Sequence, residues 1–270
     1  MVHEKELKGG NISSVSTNGS IVFKDAKSQS VTIQRLLKHL QQKGVNFCPK
    51  PLGFDDYGRE MLSYVKGSTT LDYPQVSLIT ERIDIVKRAA LMLRELHDAT
   101  LDFIRSDDDI WFLRYDGDLP KEVICHNDFA PYNVTFEDDL PIGLIDFDTA
   151  CPAPRVWDIA YAAYRFIPLS KSVYDCNLGK YRDYDEDKDC EERRILLNEF
   201  LQNYGFNGDI GKYLVQRLES LVRLFDEECT KGNKVFIKMR EEGHQDFYLN
   251  EIEFIKKNFY RWKGELYGTK

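Results

Sequence analysis

The stretch HNDFAPYNVTFEDDLPIGLIDFDTA, residues 126–150, decides how this chain is read. Its middle alternates like a hairpin: 134–136 and 143–145 are strand-like, and EDDLP between them is a turn signal. In antiparallel pairing, residues whose numbers sum to 279 face one another, which puts Asn133 opposite Asp146. Two oxygen ligands side by side on paired strands make a seat for Mg²⁺, a hard ion that takes few protein oxygens and leaves its other positions to water and phosphate. Asp128, in the loop feeding the first strand, reaches the same cleft and is placed to orient or deprotonate a hydroxyl.

Working outward, a short strand at 123–125 leads into the loop, and 155–167 is a helix, apolar almost all round and ended by Pro168. Asp158 inside it has two readings: a buried carboxylate that needs partners, or a surface acid suited to a helix start. Trp157 and Tyr161 read as core aromatics. Upstream, 78–97 has the strongest helical pattern, with Ile79, Ile83, Val86, Ala90 and Leu93 as its stripe. Before it, strands surround one helix. Segments 11–16 and 20–24 flank an Asn-Gly turn signal, 52–54 and 60–65 flank DDYG, and 31–43 is amphipathic with Gly44 as its stop. Downstream, 191–204, 210–229 and 249–262 read as helices. The pattern predicts an α+β protein with a small β-rich lobe at 1–66 and a larger, mainly helical lobe at 67–270.

The totals narrow the function classes. A chain of 270 residues with 42% apolar and 30% charged residues is an ordinary globular protein. No apolar run approaches the roughly 18 to 20 residues of a membrane helix, and the first ten residues are too polar for a secretory signal, so the expectation is a cytoplasmic protein with no membrane partner. Six cysteines with no CxxC pair read as reduced thiols. A net charge of −8 argues against nucleic acid and suits a neutral or cationic small molecule. The oligomeric state stays open.

HNDFAPYN resembles the kinase catalytic loop HxDxxxxN, and LIDFDTA resembles the metal-binding segment that reads DFG in protein kinases. The fuller stretch through WDIAYAAY resembles the aminoglycoside phosphotransferase family, in the broad sense that includes choline, homoserine and related small-molecule kinases. GGN at 9–11, PLGFDDYGREMLSYVKG at 51–67 and LHDAT at 96–100 add weaker matches, so the resemblance covers roughly the first 170 residues. It implies a two-lobed protein-kinase-like fold, Mg²⁺, and transfer of the terminal phosphoryl of ATP or GTP to a small-molecule hydroxyl. An aminoglycoside is the named acceptor, which would tie the protein to antibiotic resistance. A choline- or homoserine-type metabolite kinase, or a catalytically weak nucleotide-binding or immunity protein of the same fold, are the alternatives. By the resemblance Asp128 is the catalytic aspartate, Asn133 and Asp146 bind Mg²⁺, His126 braces the loop and Asp158 anchors its backbone. Asp148 is either a further metal ligand or a loop hydrogen-bond acceptor.

Two departures stand out. Lys24 in SIVFKDA is the candidate phosphate-binding lysine, but the helix expected at 31–43 holds no acid to pair with it. GGNISSVSTNGS lacks GxGxxG, leaving Gly9, Gly10 and Asn11 as candidates for backbone contacts to phosphate. The base is expected against the backbone of Ser63, Tyr64, Val65 and Lys66. Only eight residues separate Asp146 from Arg155, which leaves no room for a peptide-binding platform and favours a small acceptor. The acidic run 183–192, with Glu227, Glu228, Glu241 and Glu242, is either a solvated face or an approach for a cation.

Overall fold

The computed structural model describes residues 4–7, 15–70, 76–175 and 178–263. Strands β1 (Lys5–Glu6), β2 (Val15–Thr17) and β3 (Ile21–Lys24) open the chain, followed by helix α1 (Ser30–Gln42), then β4 (Pro51–Phe54) and β5 (Glu60–Ser63). The five strands form one antiparallel sheet in the order β1-β2-β3-β5-β4. Helix α1 buries Ile33, Leu36, Leu37 and Leu40, the stripe seen in the sequence, and Gly44 leaves it at φ +81°, a conformation that favours glycine.

Strand β6 (Ser68–Thr69) precedes helix α2 (Ile79–Ala99), whose buried face is Ile85, Val86, Ala89, Ala90, Met92, Leu93 and Leu96. Ile79, expected on that face, is 37% exposed because the helix begins only there and its first turn is open. Then come β7 (Val123–Cys125), β8 (Val134–Glu137), β9 (Leu140–Leu144), β10 (Cys151–Ala153) and helix α3 (Arg155–Phe166). Strands β6, β8 and β9 form one sheet, and β7 pairs with β10. The hairpin β11 (Ser172–Asp175) and β12 (Lys180–Asp183), and helix α6 (Lys234–Glu241), were not expected. Helices α4 (Glu186–Tyr204), α5 (Gly211–Thr230) and α7 (His244–Asn258) complete the chain.

The hairpin register differs from the sequence expectation by one residue. Val134 pairs with Leu144 and Thr135 with Gly143, and beyond a bulge Phe136 pairs with Pro141 and Glu137 with Leu140. The cause is a tighter turn: only Asp138 and Asp139 lie between the strands, at φ +50° and +61°, the two-residue form that Asp tolerates. Asn133 therefore faces Ile145, whose N–H donates to the Asn133 carbonyl at 2.8 Å, and Asp146 lies one residue beyond. Gly143 is fixed by packing, since a Cβ there would meet Val65 Cγ1 and Thr135 Oγ1, each at 2.4 Å.

By packing, the chain divides into two units, Met1–Leu71 with Arg94–Asp158, and Asp72–Leu93 with Ile159–Lys270. In the first, Tyr115, Val123, Cys125, Ala153 and Trp157 form a buried cluster. In the second, Arg193 is fully buried, with its guanidinium over the rings of Tyr184 at 4.2 Å and Trp262 at 4.5 Å. It donates to the carbonyl of Ser170 at 2.6 Å, and burial pushes its pKa down to about 10. Nearby Glu251 accepts from the Tyr164 hydroxyl at 2.9 Å and from the Lys171 N–H at 3.0 Å, and burial raises its pKa.

The acidic run is built into this second unit. Asp185 caps α4 by accepting from the Asp187 N–H, Asp189 takes both arms of Arg182, Glu192 pairs with Arg82 and Glu186 with Arg261. That is why α4 starts five residues earlier than expected: acids belong at a helix N-terminus. Glu228 likewise accepts from Lys231 and Asn233. Among the described cysteines, Cys48, Cys125, Cys151, Cys190 and Cys229 are free thiols. No helix among the described residues is long and apolar enough to cross a membrane.

Candidate active site

The site lies within the first unit and is built on an unusual backbone. Asn127 and Asp146 both adopt left-handed φ, +64° and +61°, which Asn and Asp tolerate better than other side chains. Asn127 is held there by its own amide, which donates to the carbonyls of Cys125 at 3.3 Å and Thr149 at 3.0 Å. The next residue, Asp128, is thereby turned out of the loop. Its carboxylate accepts from the Tyr132 hydroxyl and from Asn133 Nδ2 at 2.8 Å, and the same Nδ2 reaches the Asp128 carbonyl at 2.9 Å.

The loop is braced from below. Asp158 is fully buried and accepts from the backbone N–H of His126 at 2.7 Å, from that of Asn127 at 3.0 Å, and from His97 at 3.1 Å. Burial opposes its ionisation, but His97 and these donors hold its carboxyl below the usual carboxylate range. His126 is also fully buried: Nδ1 accepts from the Asp128 N–H at 3.3 Å, Nε2 meets the Ile145 carbonyl at 3.0 Å, and the ring packs edge-on to Phe147 at 4.7 Å. One imidazole thus links the Asp128 loop to the segment that leads from β9 into Asp146. His97, Cys125 and Asp158 come close enough together to resemble a metal cluster, but their polar atoms already serve this bracing, including a contact from Cys125 Sγ to the Pro154 carbonyl.

Lys24 finds its acids away from the helix. It is buried and lies 3.6 Å from Glu60, its direct cross-strand partner between β3 and β5, and it also pairs closely with Asp148. Glu60 is fully buried and is tied to α1 by the Ser30 hydroxyl at 3.0 Å and Gln34 at 2.9 Å. A strand glutamate, clamped to the helix by two neutral residues, stands where a helix glutamate was sought. Burial works against the Lys24 ammonium, yet Asp148, Asp146 and Glu60 hold its pKa above the ordinary value. Asp148 accepts from Lys24 and from Lys27, the latter at 2.8 Å; burial opposes its charge, but the two lysines keep its pKa low.

Asp146 is open to solvent on one side and densely surrounded on the others. That burial, and then the charge of Asp148, raise its pKa, with Lys24 opposing and Asp128 adding to the rise. A carboxylate beside two others is a group that a cation would relieve. Asn133 commits its amide N–H groups to Asp128, so its oxygen is the ligand atom available to an ion. The donor set of one amide oxygen and one carboxylate fits Mg²⁺.

Of the other expected residues, Ser63 and Tyr64 have their N–H groups bonded to the carbonyls of Lys50 at 2.9 Å and Ser20 at 2.8 Å. Those bonds engage two donors of the segment and leave the expectation for its carbonyls, and for Val65 and Lys66, untouched. Gly9, Gly10 and Asn11 lie outside the described residues. Sequence reading missed Glu60, Lys27 and Tyr132. Glu60 had a usable signal, since a lone acid opening an otherwise apolar strand, EMLS, asks for a partner.

The fold places the chain in the class of kinase-like α+β proteins. It aligns with a choline/ethanolamine kinase family protein from Mesorhizobium loti at TM-score 0.61 and 12% identity, over 96% of this chain and 90% of that one. It also aligns with the ADP-bound aminoglycoside phosphotransferase APH(2'')-Ib at TM-score 0.52 and 16% identity, over 94% of each. Residues 109–190 match the model of the phosphotransferase enzyme family, and the resemblance to the aminoglycoside phosphotransferase family is borne out. Among curated proteins, the trifolitoxin immunity protein of Rhizobium leguminosarum bv. trifolii is 31% identical over 178 residues. That match spans 64% of this chain and 64% of the relative, less than two thirds of its length.

Proposed function

We propose that this protein is a small-molecule kinase of the cytoplasm, moving the terminal phosphoryl of ATP or GTP to a hydroxyl of a small acceptor, with an aminoglycoside as the named class. The observation that carries this reading is the convergence around Asp146: Asp128, which Asn133 holds from one side, and Lys24 both act on its charge. Segment 1–66 would serve as the nucleotide-binding lobe and 67–270 as the larger lobe. Asn133 and Asp146 would hold Mg²⁺, which supplies charge neutralisation at the phosphates. Lys24, steadied by Glu60, would meet phosphate oxygens, and the backbone of Ser63, Tyr64, Val65 and Lys66 would face the base.

Asp128 would accept the proton of the acceptor hydroxyl. Its two oxygens already receive the Tyr132 hydroxyl and the Asn133 amide, so the carboxylate is aimed before any acceptor arrives. Asp158 and His126 would act by positioning, since neither needs to touch substrate. Asp148 favours the loop-acceptor reading, with both oxygens taken by lysines.

The test is a radiolabelled phosphate screen with ATP and GTP over aminoglycosides and amino alcohols, comparing the wild type with Asp128→Asn. Turnover should fall by about 10² to 10⁴-fold in the variant while thermal unfolding stays in place. Near-normal turnover in Asp128→Asn would refute the assignment. A second reading, a nucleotide-binding immunity protein with weak catalysis, draws on the likeness to the trifolitoxin immunity protein. It predicts nucleotide binding with no phosphorylated product across the screen. A choline- or homoserine-type acceptor would appear as product only in the amino-alcohol arm.

A further inference from the structure

Two lysines, not one, converge on Asp148. Lys24 takes Oδ1 from strand β3, and Lys27 takes Oδ2 at 2.8 Å from the turn before α1. That turn is fixed in place: the Lys27 N–H donates to the Ser30 hydroxyl at 3.0 Å, and Gln29 Nε2 reaches the Asp148 carbonyl at 3.4 Å. Lys24 has a buried acid of its own in Glu60, whereas among the described residues Asp148 is the one acid within ion-pair distance of Lys27. The Lys27 side chain is 29% exposed against 8% for Lys24, so it is the one with solvent-side freedom to swing. Meanwhile the segment that would cradle phosphate in a glycine-rich loop, GGNISSVSTNGS, lacks that pattern.

We infer that Lys27 is a second phosphate-binding lysine, paired with Asp148 and transferred to the phosphates of a nucleoside di- or triphosphate when one binds. The inference rests on the phosphotransferase reading above. An arriving polyphosphate brings several negative charges beside an acid that now carries two cations, and an exposed ammonium exchanges one oxyanion for another with little loss. Lys24 then keeps its place between Glu60 and Asp148, and Lys27 adds a side-chain donor in a chain that has no GxGxxG loop.

Calorimetric titration of the full chain with MgADP, MgGDP and the matching nucleosides tests this. Lys27→Ala should weaken diphosphate binding about tenfold or more, the size of a lost charge-assisted contact. It should leave nucleoside binding and the melting temperature unchanged, and Lys27→Arg should restore most of the affinity. Wild-type diphosphate affinity in Lys27→Ala would overturn the inference alone. Equal loss for nucleosides and diphosphates, with a lowered melting temperature, would mark Lys27 as merely structural and overturn it too. If the wild type binds none of the four ligands, the phosphotransferase reading falls first and this inference with it.

Discussion

Asp158 in the first unit and Glu251 in the second are both buried carboxylates, yet they are shifted in opposite directions. Asp158 receives two backbone N–H groups and the imidazole of His97, and its carboxyl is held low; Glu251 receives the hydroxyls of Tyr164 and Ser170 and the Lys171 N–H, and burial holds it high. The difference teaches that burial alone does not decide charge. The kind of donor does, since an imidazole can carry a charge and a hydroxyl cannot. Asp158 organises the loop on which Asp128 sits, whereas Glu251 closes a packed knot of Tyr164, Lys171 and the aromatic-lined Arg193.

Removing the better-served acid should cost most. Asp158→Ala strips the acceptor from two loop amides and His97, and should lose about 3 to 5 kcal/mol, read from urea unfolding. A loss below about 1 kcal/mol would show that water replaces the carboxylate and that the loop is not braced from below. Glu60→Gln is intermediate. Lys24 keeps Asp148, so a loss of about 2 kcal/mol is expected, together with weaker nucleotide binding measured by titration.

Glu251→Gln should be nearly silent at about 1 kcal/mol or less, because the amide oxygen still accepts and the site disfavours charge. Its signature is pH. A carboxyl raised in the folded state stabilises below its unfolded value near 4.3, and that stability is lost as pH rises through the folded value, so Glu251→Gln should remove an alkaline-side slope in unfolding curves. Asp158 has the opposite sign: its contribution is present above about 3.9 and disappears as pH falls through the depressed folded value. Matching slopes for Asp158→Asn and Glu251→Gln would erase the contrast.

Local patterns were the legible part of the sequence. The loop at 126–133, helix α1 with its Gly44 stop and the β4–β5 hairpin could be read because period and turn chemistry lie within a dozen residues. The Lys24–Glu60 pair was hidden because strands far apart in sequence make it, and nothing near either residue announces the register. The hairpin before Asp146 misled by one residue because a bulge and an Asp-Asp turn absorbed what looked like a longer loop. Helix α6 escaped because it is short and rests on its Asn233 cap rather than on a long stripe. The acidic run looked like an open surface until its members were seen capping α4 and holding arginines.

The left-handed backbone at Asp146 has a consequence for descent. At φ +61° few side chains are tolerated, and Asn is one of them. Asp and Asn codons differ by a single base, so the smallest genetic step at this position deletes the charge of the proposed metal ligand while leaving the fold at rest. A lineage could pass from turnover to mere binding by that step without first losing stability, and the identity of this one residue across related genes would record which of them have taken it.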